Sequence, residues 1–239
     1  MNKSEHYPNE IKINDLLEKT KIKPNDFEFY ITAFVHRSYL NENHNFKFDN
    51  NERLEFLGDA VLELSVTKYL FDTFKKPEGE LTSLRSALVR GKNLSDIAGN
   101  LGLLDCLLLS AGEKNATDKA KGLILANTLE ALIGAIYLDQ GFDQADKFIK
   151  KNIIEENIST IIEEKLYIDP KSEFQEKVQD KYKITPRYMV MEEAGPDHNK
   201  TFVSGVYIGE KLVAKADGSS KNAAEQNAAE KALKKVFKN

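Results

Sequence analysis

The chain has 239 residues, 41% of them hydrophobic and 30% charged, with a formal net charge of −4. That balance is ordinary for a globular protein in water and leaves room for one large domain or two smaller ones. Its single cysteine, Cys106, excludes an internal disulfide framework and a cysteine-based zinc site.

The charge is unevenly spread. Residues 171–239 hold 13 Lys+Arg against 10 Asp+Glu, leaving 21 against 28 for the rest. An acidic first part and a mildly basic last part suggest two modules with different partners. The opening MNKSEHYPNE has no apolar core, so no signal peptide is expected. The longest apolar run, 123–138, carries Asn127 and Glu130 and is too short and too polar to span a bilayer. A cytoplasmic protein without a membrane partner is therefore expected.

In chain order, 14–20 and 26–40 read as short helices broken at Lys23-Pro24, the second capped by Asn25 or Asp26 and ending in Phe34-Val35-His36-Arg37-Ser38. A polar loop, 41–50, leads to NERLEFLGDAVLEL at 51–64, which opens a helix running to about Phe74. There Leu54, Leu57, Val61 and Leu64 share one helical face, and Glu52, Glu55, Asp59 and Glu63 share the opposite one. Like charges at this spacing repel by about a few tenths of a kcal/mol per pair. An uncompensated acidic stripe suits a hard divalent cation. Phe56 lies beside the acids, off the core-facing side, and suggests a contact made by something else.

After a turn at 75–80, Thr82 or Ser83 is expected to cap a helix to Arg90. Helices follow at 93–100 and 119–140, the latter closed by Gly141, and 143–165 reads as one amphipathic helix. No strand signal precedes residue 168. Within 119–140, Asn127 and Glu130 share a face at i,i+3. A charged Glu in this apolar run is costly to bury alone. It is either salt-bridged to a neighbouring cation or faces Glu55 and Asp59 across a helix pair. In the second case three carboxylates and an amide oxygen make a hard-ligand set suited to Mg²⁺ or Mn²⁺.

The pattern changes at Asp169-Pro170, a cap followed by a helix-starting proline. A helix to Tyr182 precedes three strands, near 188–192, 202–207 and 211–216, with a turn at Gly209. An alanine-rich helix then runs to about Phe237. The order α-β-β-β-α predicts a small antiparallel sheet with two helices on one face.

Residues 51–64 resemble the signature stretch of the ribonuclease III family over their whole length. His36-Arg37-Ser38 is similar to its His-x-Ser element, Pro77-Glu78-Gly79 to its Glu-Gly turn, and 125–135 to its second acidic motif. The tail resembles a double-stranded RNA-binding domain through Gln175, Gln179, Gly195-Pro196-Asp197-His198, Ser220-Lys221 and the alanines of 223–229. The resemblance implies a multidomain chain: an all-α endonuclease domain at 12–165, then a small α+β RNA-binding domain at 169–238. It implies a Mg²⁺-dependent endoribonuclease (Mn²⁺ as alternative) that works as a homodimer. Its RNA duplex products would carry 5′-phosphates, with ribosomal and messenger RNA precursors the expected substrates. By position, Asp59 and Glu130 are the catalytic pair, and Glu55, Asp59, Asn127 and Glu130 the metal ligands. Glu52 and Glu78 line the same valley, and Phe56 matches the family's dimer plug. In the tail, Gln175 and Gln179 at i,i+4 would enter one minor groove and His198 a second. Lys200, Ser220 and Lys221 would serve the phosphates, Ser220 at a helix start whose free N–H groups favour an anion.

The chain departs from the family pattern in two places. Asn127 stands where Asp is usual, which keeps alive a rival reading: a weakened or inactive dimer that binds duplexes without cutting them. In the tail, Asn222 and Glu225 occupy positions where lysines are frequent, and Ala216 replaces a glycine. Fewer cations predict weaker binding with a shallower salt dependence, unless Lys183, Arg187 and Lys200 compensate.

Overall fold

The computed structural model describes residues 7–196 and 200–237. The chain divides into two compact units, residues 1–167 and 168–239, each with its own apolar core.

Among the described residues, the first unit is helical. In order it contains α1 (Glu10–Thr20), α2 (Phe27–Ala33), α3 (Arg37–Glu42), α4 (Glu52–Thr73), α5 (Glu78–Leu88), α6 (Gly91–Leu101), α7 (Leu103–Cys106), α8 (Ala111–Lys114), α9 (Asp118–Gln140), α10 (Phe142–Ile149) and α11 (Ile158–Glu163). α9 is the central rod. By length and composition it is apolar enough to cross a membrane. Its middle, however, is taken up by packing: Ala126, Leu129 and everything from Ala131 to Ile136 is buried. Half of its apolar window is buried within the unit, the pattern of a helix in a protein core. Its far end is tied to α2 by one carboxylate. Asp139 accepts from the backbone N–H groups of Asn25 (3.0 Å) and Asp26 (2.8 Å), from the Tyr30 hydroxyl (2.9 Å) and from Gln140 (2.9 Å).

α4 has three faces rather than two. Leu54, Gly58, Val61, Leu62, Ser65, Val66 and Leu70 are buried. The acids form a second stripe. Phe56, Leu64 and Phe71 form a third that is apolar and unpartnered, at 81, 57 and 74% exposure. Leu64 was expected in the core with Leu54 and Val61. Its spacing from them carries it too far round the helix, and the small Gly58 and Ser65 take the central line instead.

Three other expectations need correction. α5 begins at Glu78, not at Thr82 or Ser83: Leu81 N–H already bonds to Pro77 O at 3.1 Å, and Glu78 and Glu80 suit the positive end of the helix. The expected helix over 143–165 is broken. A π-helical turn, Lys150–Ile154, separates α10 from α11. Asn152 and Asn157 each donate to a carbonyl four residues back (Phe148 O and Ile153 O, 2.8 Å each), competing with the helix's own ladder. Finally, the expected helix over 26–40 is two, α2 and α3, parted at His36, whose ψ of 145° is extended.

The second unit follows the predicted order: α12 (Pro170–Tyr182), β1 (Arg187–Ala194), β2 (Thr201–Ile208), β3 (Lys211–Gly218) and α13 (Lys221–Val236). The sheet is antiparallel in the order β1-β2-β3, with Tyr188 opposite Val206 and Ala216 opposite Ser204. Gly209 makes the β2–β3 turn with φ 61°. Phe174, Val178, Val206, Val213, Ala228, Ala229 and Ala232 form the core between sheet and helices. The alanines of α13 keep the helix close to the sheet.

Candidate active site and RNA-binding surface

α4 and α9 cross with their backbones in contact, and two glycines make that possible. A Cβ on Gly58 would lie 1.8 Å from Glu130 O; one on Gly134 would lie 2.3 Å from Leu54 O. No side chain fits either point. The crossing sets Glu55 and Asp59, on either side of Gly58, against Asn127 and Glu130.

Exposure grades across this group: Asp59 is open to solvent, while Glu55, Asn127 and Glu130 are half-buried. Burial, then the charges of Asp59 and Glu55, push the Glu130 carboxyl up to about 7. Burial also raises Glu55. The Asn127 side chain opposes that rise by hydrogen bonding to the Glu55 carboxylate, and the charges of Glu52 and Asp59 add to it. Among the described residues Glu130 meets no cation, and it faces the α4 acids Asp59 and Glu55, the second of the two possibilities left open by the sequence. Among the described residues, no three His, Cys, Asp or Glu side chains stand close enough to enclose an ion already. All donors here are oxygens, which suits a hard divalent cation. A desolvated carboxylate coupled to two others is a site short of positive charge.

Glu52 sits one turn before Glu55 and meets Arg37 at 3.5 Å. Glu78 lines a different recess of this unit, with Thr67, Phe71 and Arg85, and accepts from the Thr82 hydroxyl at 2.9 Å. In that recess Arg85 pairs with Glu63 at 3.0 Å. Phe56 borders a recess of about 670 Å³, lined also by Phe29, Thr32, Leu54, Leu57 and Leu138. Cys106 is buried, its thiol pushed up to about 11 by burial and the nearby Asp105 charge, and is chemically quiet.

In the second unit Gln175 and Gln179 lie exposed on α12, and Gln179 Nε2 reaches Thr185 Oγ1 at 3.1 Å. Ser220 is the cap of α13, its hydroxyl accepting from Ala223 N–H at 3.1 Å, so its first role is structural. Lys221 begins the helix, exposed, with Nζ 5.8 Å from the Phe202 ring centre. Gly218 fixes this corner, since a Cβ there would lie 2.4 Å from Ala224 N. Lys200 pairs with Glu193 at 3.1 Å, Lys183 with Asp180 at 3.7 Å, and Arg187 donates to Gly209 O at 3.1 Å. His198 lies outside the described residues. Glu225 is not a bare negative charge at the binding helix: Lys171 meets it at 2.5 Å and lies 5.0 Å above the Tyr188 ring.

Comparison with known proteins identifies both units. The family model for Ribonuclease-III-like domains matches residues 26–157, and that for the double-stranded RNA binding motif matches 170–236. Ribonuclease 3 of Borreliella afzelii is 44% identical over 224 residues, 93% of this chain and 91% of that protein. Ribonuclease 3 of Leptospira interrogans is 43% identical over 227 residues, 95% of this chain and 91% of that protein. The chain belongs to the ribonuclease III family. Among solved structures, a ribonuclease III nuclease domain from Campylobacter jejuni is 44% identical. It covers 59% of this chain and 97% of that one, with a TM-score of 0.52, and is described for flexibility in the region involved in dimer formation.

As a ribonuclease III the chain has an acidic site whose positioning residues the sequence reading missed. Gly58 and Gly134 carry no charge and no periodicity. The one available signal was a glycine inside each of two otherwise strong helices, which marks a close backbone approach. Lys171 was missed because its partner, Glu225, is 54 positions away.

Proposed function

We propose that this protein hydrolyses phosphodiester bonds in double-stranded RNA as a homodimer. In this reading Mg²⁺, with Mn²⁺ as an alternative, is held by Glu55, Asp59, Asn127 and Glu130, and the products carry 5′-phosphates. The observation that carries it is Glu130, desolvated at the Gly58–Gly134 crossing against Asp59 and Glu55, with no cation of the described residues beside it. A divalent cation bound there would offset charge on the attacking and leaving oxygens of the phosphodiester. The chain's own residues divide the rest. Glu130 and Glu55 are held by the helix crossing, Asn127 orients Glu55 through its amide and leaves its oxygen free as a ligand, and Asp59 forms the solvent side from which a duplex enters.

Dimerisation follows from the third face of α4. Phe56 projects into solvent beside a recess lined by Phe29, Leu54, Leu57 and Leu138 and rimmed also by Asp49, Asn50, Glu52 and Arg53, and in a twofold dimer each Phe56 enters the partner's recess while receiving the partner's in its own. With Leu64 and Phe71 it leaves an apolar stripe on α4, the kind of exposed patch that marks an interaction surface.

The second unit brings the RNA. It presents Gln175 and Gln179 from α12 for the minor groove and Lys221 with the start of α13 for phosphate, a module that reads A-form shape. Ribosomal and messenger RNA precursors are the natural substrates of such an enzyme, and the cytoplasm its site of action.

Asn127 favours a second reading, a duplex-binding dimer that does not cut. An amide brings no charge, and its N–H is spent on Glu55. The deciding experiment incubates the purified protein with a long RNA duplex in Mg²⁺, in Mn²⁺ and in EDTA. Metal-dependent shortening to 5′-phosphate products is expected. Duplex retention in a gel shift, with no cleavage in either metal, would overturn the first reading in favour of the second.

A further inference from the structure

His36 belongs to no part of the acidic site, yet it is held in register with it. The start of α4 is bonded to the segment that ends in this histidine: Asn51 N–H donates to Val35 O at 2.9 Å and Asn51 Nδ2 to Ala33 O at 3.2 Å. On the other side His36 N–H donates to Leu108 O at 3.1 Å, beside the parallel bridge between Val35 and Leu108. The imidazole is anchored as well. Ser38 N–H donates to Nδ1 at 3.3 Å, and Ser38 Oγ lies 2.8 Å from the same nitrogen. Ser38 Oγ also accepts from Ser110 N–H at 3.1 Å, which ties this corner to the segment before α8. We assign Nδ1 as the acceptor of the Ser38 N–H, so that it carries no proton. The proton of the neutral ring is on Nε2, and this N–H has no partner among the described residues. Burial keeps the ring neutral, lowering its proton affinity with help from Arg37, against the pull of Glu113 and Glu52.

A half-buried ring held this firmly, with one fixed donor left over, is a contact prepared for an acceptor outside the chain. The next residue, Arg37, is exposed and spans 3.5 Å to Glu52, the first acid of α4. An uncharged donor and a guanidinium side by side, at the end of a row of carboxylates, fit an anionic oxygen that has to pass those carboxylates. We propose that His36 Nε2–H and Arg37 bind a backbone phosphate of the RNA strand entering the acidic site. This rests on the reading of the chain as an RNA-cutting enzyme and names a contact that fixes the strand's register without reading its sequence.

Two substitutions divide the imidazole's roles. His36→Asn keeps an acceptor for Ser38 N–H at the cap of α3 but removes the distal donor; His36→Gln places an amide donor near Nε2 and forfeits the cap. In gel shifts of the full chain on an RNA duplex in EDTA, His36→Asn is expected to weaken binding about five- to tenfold with the melting temperature unchanged, and His36→Gln to recover most of that loss. Arg37→Ala is expected to make the slope of log Kd against log salt shallower by about one. Binding by His36→Asn within about twofold of wild type, or no recovery in His36→Gln, would overturn the proposal. A wild-type chain that fails to bind or cut the duplex at all would instead sink the enzymatic reading beneath it.

Discussion

Gly58 and the carbonyl oxygen of Glu130 approach so closely that a single methyl group on Gly58 would sit 1.8 Å from that oxygen. The two helices cannot cross at this distance with any other residue there, and the acids that flank Gly58 meet those around Glu130 only at this distance. Gly58→Ala is therefore expected to destabilise the protein by about 3 kcal/mol or more through forced separation of α4 and α9, and to abolish cleavage. Gly99→Ala is the control: it lies inside α6 with nothing within 4 Å of its Cβ position and is expected to stabilise by about 0.5–1 kcal/mol. Thermal melts of both variants check this.

Glu130→Gln separates the needs of folding from those of chemistry. The folded-state value of Glu130, about 7, is above its ordinary 4.5. Its charged form therefore opposes folding, and without metal the protein loses stability as pH rises between those values. In EDTA at pH 8 the glutamine variant is expected to melt about 2–4 °C higher than wild type, a gain of about 1 kcal/mol after discounting for solvent screening. The gain should vanish as pH falls below the ordinary value. In Mg²⁺ the order reverses, and cleavage drops by at least about a hundredfold.

Asn127→Asp tests the opposite corner. The substitution adds a carboxylate and removes the amide hydrogen bond to Glu55. It is expected to lower the Mg²⁺ concentration that half-saturates cleavage by about tenfold. In EDTA the same change lowers the melting temperature, since four acids then face one another. An unchanged Mg²⁺ requirement would mean that residue 127 is not a ligand.

Phe56→Ala is expected to leave each subunit folded, because the ring is 81% exposed in its own chain, and to shift sedimentation toward monomer at micromolar concentration. Unaltered dimer mass would remove Phe56 from the interface.

Asp139 gives a pH prediction of opposite sign. Burial alone would raise its carboxyl; the N–H groups of Asn25 and Asp26, with Gln140 and the Tyr30 hydroxyl, outweigh that and hold it below its ordinary 3.8. Its contribution is complete above that value and is lost as pH falls through the lowered one. Asp139→Asn should lower stability at pH 7 by about 1 kcal/mol or less after discounting for solvent screening of this part-buried group, and the two melting curves should converge only as pH falls below the lowered value.

Much of this was legible in the residues. The acids of 51–64 and the Asn127–Glu130 pair stood out because each breaks a local rule, a like-charged stripe in one case and a charge in an apolar run in the other. The α-β-β-β-α tail was legible because strand alternation and the Asp169-Pro170 and Ser220 caps are local signals. What stayed hidden was set by partners distant in sequence: Gly58 with Gly134, Lys171 with Glu225, Asp139 with Asn25. The break at 150–154 was hidden differently. Its asparagines are tolerable in a helix by composition, and only their bonds to Phe148 and Ile153 show them competing with it.

The three faces of α4 also govern how freely this segment can change. Between Leu54 and Leu62 every residue but the exposed Ala60 answers to the core, to the acidic row or to the exposed apolar stripe, and Gly58 answers to a backbone. A substitution scan of that stretch should therefore find almost no permissive position, while the same scan along α6 would find one whole side that accepts nearly any residue. A stretch with no idle side has little freedom to drift, which is a physical reason for fourteen consecutive residues to be readable on sight.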